Sequence, residues 1–131
     1  MRRLTLMLAA VLFAAPLAAP AQTAPASPPE IKVMKMGDSS MLTNAKGMTL
    51  YVYDPDTAGK ATCNGGCATA WPPLAATSSD KPVGKYTIVT RDDGSLQWAY
   101  NGKPLYTWRN DKAPGDMTGD GVGGKWHVAK Q

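Results

Sequence analysis

The chain has 131 residues, of which 18% are charged and 44% hydrophobic, and its formal net charge is +4. A chain of this length makes one domain. It is too apolar and too weakly charged for a disordered polyelectrolyte, and no apolar run reaches the ~18 residues that a membrane-spanning helix needs.

The chain starts with the cationic Met1-Arg2-Arg3, followed by an apolar run from Leu4 to Ala15 and small residues ending in Ala19-Pro20-Ala21. Positive start, apolar middle and A-x-A end are the three parts of a secretory signal peptide. Cleavage is expected after Ala21, which places the mature protein in the periplasm or outside the cell. The mature chain then keeps 12 of the 14 Lys and Arg against 10 acids, a net charge of +2. The remaining cations are scattered, so no nucleic-acid partner is expected. No Cys stands beside the predicted cut, so no lipid anchor is expected. Residues 22–30 (QTAPASPPE) are rich in Pro, Ala and Ser and read as a flexible tether. One domain follows, from 31 to 131.

Strand signals dominate this domain. Ile31 to Met36 alternates. Met41-Leu-Thr43, a turn at Asn44-Ala-Lys-Gly47 and Met48-Thr-Leu-Tyr-Val-Tyr53 read as a hairpin. Tyr86 to Thr90 is β-branched and aromatic, Asp93-Gly94 marks a turn, and Leu96, Trp98 and Tyr100 alternate with period two. Asn101-Gly102 is a strong hairpin signal. With Leu105 to Trp108 as a third strand, Tyr86 to Trp108 is expected to form an antiparallel meander. No stretch after Ala21 offers three helical turns free of Gly and Pro.

The chain also matches itself at an offset of 55 residues. Gly47, Leu50, Tyr51, Asp56, Ala58, Gly66 and Trp71 fall on Gly102, Leu105, Tyr106, Asp111, Ala113, Gly121 and Trp126, and Tyr53 falls on Trp108. Average residue usage predicts about one or two identities over such a stretch, so the pattern is an internal repeat, with copies at about 41–74 and 96–129. The expected fold is all-β: a small antiparallel sheet and hairpin domain made of two related halves. On each strand the two aromatics, Tyr51 with Tyr53 and Tyr106 with Trp108, share a face. Asp56 and Asp111 are expected to accept backbone N–H groups of the turns they open, and Trp71 and Trp126 to return over the aromatic pairs.

These residues carry a resemblance. The two copies of Tyr-x-(Tyr/Trp)-x-x-Asp, with Cys63-Asn-Gly-Gly-Cys67-Ala68, Trp71-Pro-Pro-Leu74 and Gly124-Lys-Trp126-His-Val128, resemble a bacterial family of predicted lipoproteins with a Yx(FWY)xxD motif, also called the secreted repeat of unknown function. The likeness spans roughly Lys35 to Val128. It implies an exported, mostly β protein and carries no established activity.

Chemistry is sparse. Cys63 and Cys67 are the only cysteines. In an oxidising compartment such a pair is expected to form a disulfide. Closing so small a ring contributes about 2 kcal/mol by chain entropy, enough to pin a local turn. A redox-active or copper-binding thiol pair is the alternative. Met34 and Met36 with the cysteines would then be soft ligands, joined by His127, the one histidine. Gly119 to Lys125 has phosphate-loop spacing, but Trp126 stands where Ser or Thr is needed. Asp54-Pro-Asp56 and Asp116-x-Thr-x-Asp120 lack an acid at the twelfth position of a calcium loop. No catalytic residues and no cofactor are expected. The reading is an exported, non-enzymatic binding or structural module, with an unknown envelope or extracellular partner and a contact surface of exposed aromatics. Burial of Trp71 and Trp126 would exclude that surface. The alternative is an envelope redox or copper accessory protein.

Overall fold

The computed structural model describes residues 9–12, 14 and 27–131. Most of the predicted leader, and residues 22–26 of the tether, lie outside the described residues. Residues 27–30 turn into the first strand. Pro28 is buried, its carbonyl accepts the Ile31 N–H at 3.0 Å, and Ser27 Oγ donates to the Ile31 carbonyl.

Strands β1 (Ile31–Met36) and β2 (Ser39–Asn44) form an antiparallel hairpin, with Ile31 opposite Asn44 and Met36 opposite Ser39. Strand β3 (Tyr51–Tyr53) follows, then a one-turn helix α1 (Gly66–Ala70) and the short β4 (Ala75–Ala76). Strands β5 (Tyr86–Thr90) and β6 (Leu96–Tyr100) form the second hairpin. On the far edge of β6 lie β4 and then β7 (Lys103–Pro104). A 3-10 turn at Val122–Gly124 leads into β8 (Trp126–Val128), which pairs with β3. The domain is therefore a set of small antiparallel sheets with almost no helix. Among the described residues no helix is long and apolar enough to cross a membrane.

Both hairpins depart from the predicted course in the same way. After Thr43 pairs with Thr49, the expected arm through Tyr53 leaves its partner, and β3 pairs with β8 instead. In the meander, the Leu105 N–H still bonds the Trp98 carbonyl, but Tyr106 then turns away to pair with Tyr51 and Pro73. Leu105 to Trp108 is thus not the third meander strand. Unpaired backbone groups in a core are costly, so a strand leaves one partner only where another is offered. Here the other repeat offers it.

The result is a pseudo-two-fold arrangement in which the repeats interlock. Tyr51 and Tyr106 exchange both backbone hydrogen bonds, at 2.8 and 2.9 Å, across the pseudo-axis. The Ala129 N–H donates to the Leu50 carbonyl at 2.8 Å, and the equivalent Leu74 N–H donates to Leu105 at 2.9 Å. Each repeat's return segment therefore pairs with the other repeat's motif strand. Two core layers result. One holds Ile31, Leu42, Leu50, Tyr86, Trp98, Leu105 and Ala129; the other holds Met41, Tyr51, Ala61, Cys63, Trp71, Tyr106, Trp126 and Val128.

Candidate functional site

The repeat motif is the part of the sequence with the most chemistry in it. Its eight side chains, Tyr51, Tyr53, Asp56, Trp71, Tyr106, Trp108, Asp111 and Trp126, converge on the pseudo-axis. Trp71 and Trp126 stack face to face, with centroids 3.8 Å apart and planes 3° from parallel. Trp108 continues the stack beyond Trp71 at 4.0 Å, and Tyr53 beyond Trp126 at 4.2 Å. Tyr51 meets Trp71 edge-on at 5.3 Å, and Tyr106 meets Trp126 edge-on at 5.2 Å. Each indole therefore packs edge to face with the first aromatic of its own repeat and stacks on the second aromatic of the other. Offset-stacked and T-shaped pairs are the favoured aromatic geometries. Trp71 and Trp126 are only 4% and 5% exposed. The expected contact surface of exposed aromatics is thereby overturned, because the indoles cover one another.

The aspartates also do more than the turn role expected of them. Asp111 Oδ1 accepts the N–H and hydroxyl of Thr118, at 3.0 and 2.6 Å, while Oδ2 accepts the Tyr51 hydroxyl at 2.6 Å. Asp56 mirrors this. Its Oδ1 accepts the N–H and hydroxyl of Thr62, both at 2.7 Å, and its Oδ2 accepts the Tyr106 hydroxyl at 2.7 Å. Each carboxylate thus fastens its own Gly-rich loop to the tyrosine of the opposite repeat. The threonines, which the sequence reading missed, lie six residues after Asp56 and seven after Asp111. The repeats are therefore out of step by one residue in this loop, and the gapless 55-residue register is corrected there. The signal was present: a buried tyrosine hydroxyl needs a partner, and each half has one Asp and one Thr placed to serve it.

The loop after Asp111 approaches the stack closely at Gly119. A Cβ there would come within 2.7 Å of the Trp71 ring, and the Gly119 N–H donates to the Tyr51 hydroxyl at 3.2 Å.

Burial, and then the carboxylate each phenol bonds, pushes the pKa of Tyr51 and of Tyr106 well above the ordinary value of 10.0. The folded protein therefore holds both protons at a pH where the unfolded chain releases them. Stability is unaffected by these groups below pH ~10 and falls above it, by about 1.4 kcal/mol per pH unit for each tyrosine. Urea midpoints measured between about pH 9 and 11 should show this fall, and Tyr51→Phe should make it shallower.

The cysteines form a disulfide with a Cα separation of 5.2 Å. Their loop is fastened to the second repeat by Arg91, which is buried. One guanidinium nitrogen of Arg91 donates to Gln97 Oε1 at 2.6 Å, and another to the Cys63 carbonyl at 2.6 Å and Asn64 Oδ1 at 2.9 Å. Gln97 in turn donates to the Leu105 carbonyl. The equivalent positions in the first hairpin are Met36 and Met41, so an apolar pair does there what a polar network does here. Of the metal candidates, Met34 faces Met41 across β1 and β2, and Met36 packs with Met41, Cys63 and Cys67 in one core cluster. His127 lies elsewhere, on β8, with Nε2 2.8 Å from Asp54 Oδ2. Among the described residues no group of three or more His, Cys, Asp or Glu is placed to hold a metal ion.

Two clefts flank the braced core. The larger, about 590 Å³, lies between the disulfide loop and the β5–β6 turn, against Asn64, Arg91, Asp92, Asp93 and Ser95. Its charges are already committed. Asp92 bonds Lys60 and Asn64, and Asp93 bonds Ser95; these contacts hold both carboxyls below the usual range, with Lys60 the main cause for Asp92 and Ser95 for Asp93. The smaller cleft, about 260 Å³, lies between β3, β8 and the β6–β7 turn and contains the His127–Asp54 pair.

A family model described as a secreted repeat of unknown function matches residues 32–75 and again 87–130. The chain belongs to this family. The two matches start 55 residues apart, and each includes the first strand of a hairpin, so the secreted repeat begins earlier than the copy boundaries read from sequence identity. No curated protein and no solved structure matches the chain. In structural terms one secreted repeat is a hairpin, a motif strand, an Asp-anchored loop and a returning tryptophan.

Proposed function

We propose that this secreted-repeat protein is an exported, non-enzymatic binding or structural module of the bacterial envelope or its surroundings. The leader is removed after Ala21, and the two repeats are members of the Yx(FWY)xxD group. One observation carries the reading. The hydroxyls of Tyr51 and Tyr106 are bonded to Asp111 and Asp56, and these carboxylates to Thr118 and Thr62, so the motif serves as an internal brace. What the module binds is then met by surfaces around the brace.

Cys63 and Cys67, joined in a short ring, fit a compartment where disulfides persist. A second reading, an envelope redox or copper accessory protein, draws support from the packing of Met36, Met41 and the cysteine sulfurs in one cluster. It requires the disulfide to be opened, since the thiolate is the metal ligand.

Native mass spectrometry of protein isolated from its own compartment tests both readings together. The expected species is the chain from Gln22 onward, oxidised at the cysteines, without acyl modification and without metal. A retained leader on cytosolic protein would overturn the proposal. A copper ion that survives buffer exchange would favour the second reading.

A further inference from the structure

We infer that the smaller cleft, between β3, β8 and the β6–β7 turn, is a binding site for the oxyanion of a small molecule, a carboxylate or a phosphate. The site rests on the binding-module reading and gives it a ligand class.

Charge is the first argument. Lys103 and Lys130 line the cleft, and neither makes an ion pair among the described residues. Among the described residues the only acid lining it, Asp54, is bonded to His127 at 2.8 Å. The local balance is therefore positive, and two ammonium groups stand without a counter-charge. A metal cation is disfavoured by the same lysines. Polar groups for directional recognition are present in the Asn101 amide, the Tyr100 phenol and the His127 ring.

Size is the second. About 260 Å³ lies just below the ~300–1,000 Å³ usual for ligand pockets, which suits a small metabolite-sized anion better than a polymer. The wall is also held in place. Asn101 and Gly102 turn in the left-handed region, at φ 51° and 81°. The Asn101 N–H is bonded to the Lys85 carbonyl at 2.9 Å, and the Gly102 carbonyl accepts the Gly59 N–H at 3.1 Å. A preformed wall lowers the ordering cost of binding.

The third argument comes from the repeat itself. The fold builds this corner twice. Where β8 lies on β3, the other half sets Pro72 to Leu74 against Leu105 to Thr107 with matching backbone bonds. In that second corner Pro72 takes the place of His127, Arg109 that of Asp54, Ala75 that of Lys130 and Met48 that of Lys103. The architecture thus forms without the His–Asp pair or either lysine. Folding does not require the two lysines at this corner, which leaves their ammonium groups free to serve a ligand.

The test is a ¹⁵N NMR titration of the exported protein with inorganic phosphate and, separately, with succinate. Saturable shifts are expected at Asn101, Lys103, His127 and Val128. Lys103→Gln with Lys130→Gln should weaken binding by about tenfold or more, and binding should weaken as salt is raised. Both lysines are exposed, so the double variant should fold, and an unchanged urea midpoint verifies it. Lys46→Gln with Lys112→Gln, on other parts of the surface, should leave binding intact. Saturation by phosphate alone points to a phosphorylated ligand, and by succinate alone to a carboxylic acid; either supports the site. Shifts no larger than those from equal chloride, or a double variant that binds like the parent, mean an adventitious ion only and overturn the site. That failure leaves the binding-module reading standing on the mass measurement, which does not involve these lysines.

Discussion

Trp71→Ala should leave the domain largely unfolded at room temperature. Removing a buried Trp or Phe side chain typically costs about 3–5 kcal/mol. Trp71 also contributes to three aromatic pairs, with Trp126, Trp108 and Tyr51, each worth roughly 0.5–1.5 kcal/mol beyond its area. Native domains have only about 5–15 kcal/mol in total. Trp126→Ala should behave alike, since its partners are the symmetry equivalents. Trp108→Ala and Tyr53→Ala, at the half-buried ends of the stack, should cost clearly less. Urea unfolding followed by circular dichroism gives the ranking. Equal costs at the middle and the ends would show that the stack does not act as the centre of the core.

The brace between repeats gives the second large effect. Tyr51→Phe removes the donor to Asp111 and the acceptor of the Gly119 N–H, and should cost about 1.5–3 kcal/mol, the range for hydrogen bonds to charged groups. Asp111→Asn should cost at least as much, because Asp111 also anchors Thr118. Combined, the two changes should cost less than their sum by about 0.5–3 kcal/mol, as expected for residues in direct contact. The Tyr106–Asp56 pair should show a weaker coupling, since Asp111 is 6% exposed whereas Asp56 is half-buried and more open to water. Strict additivity at Tyr51 and Asp111 would mean that their hydrogen bond contributes nothing to joining the repeats.

The all-β class, the β5–β6 hairpin, the repeat and the cysteine bridge could be read from the residues, whereas the expected hairpin of Met41–Thr43 with Met48–Tyr53 gave way to the pairing of β1 with β2. Period-two alternation and Asn-Gly or Asp-Gly turns are local signals, and they marked β1, β5 and β6, while only Met41–Thr43 of β2 was anticipated. The partner of each motif strand was not readable in the same way. Nothing local to Tyr51 or Tyr106 states that its backbone bonds the other copy, because that choice depends on two segments 55 residues apart. The strand β6 misled for a related reason. Leu96, Trp98 and Tyr100 alternate as in a one-sided strand, yet Gln97 and Ala99 on the opposite face are buried as well. A glutamine reads as solvent-facing until Arg91 and the Leu105 carbonyl are found to satisfy its amide. Each indole was expected over the aromatic pair of its own repeat, but it meets only the first of that pair and stacks on the second aromatic of the other repeat, and the two indoles bury each other. The partner of exposed His127 was not readable either, because Asp54 reaches it only where β3 and β8, from distant parts of the chain, come together.

The exchange of return segments has a consequence for assembly. One copy alone has no partner for its motif strand, no acceptor for its tyrosine and no ring to stack on its indole. A single copy would meet these needs only by pairing with a second one as a symmetric homodimer, across an isologous contact like the present pseudo-axis. The tandem chain carries that second copy within one molecule, so the pairing does not depend on protein concentration.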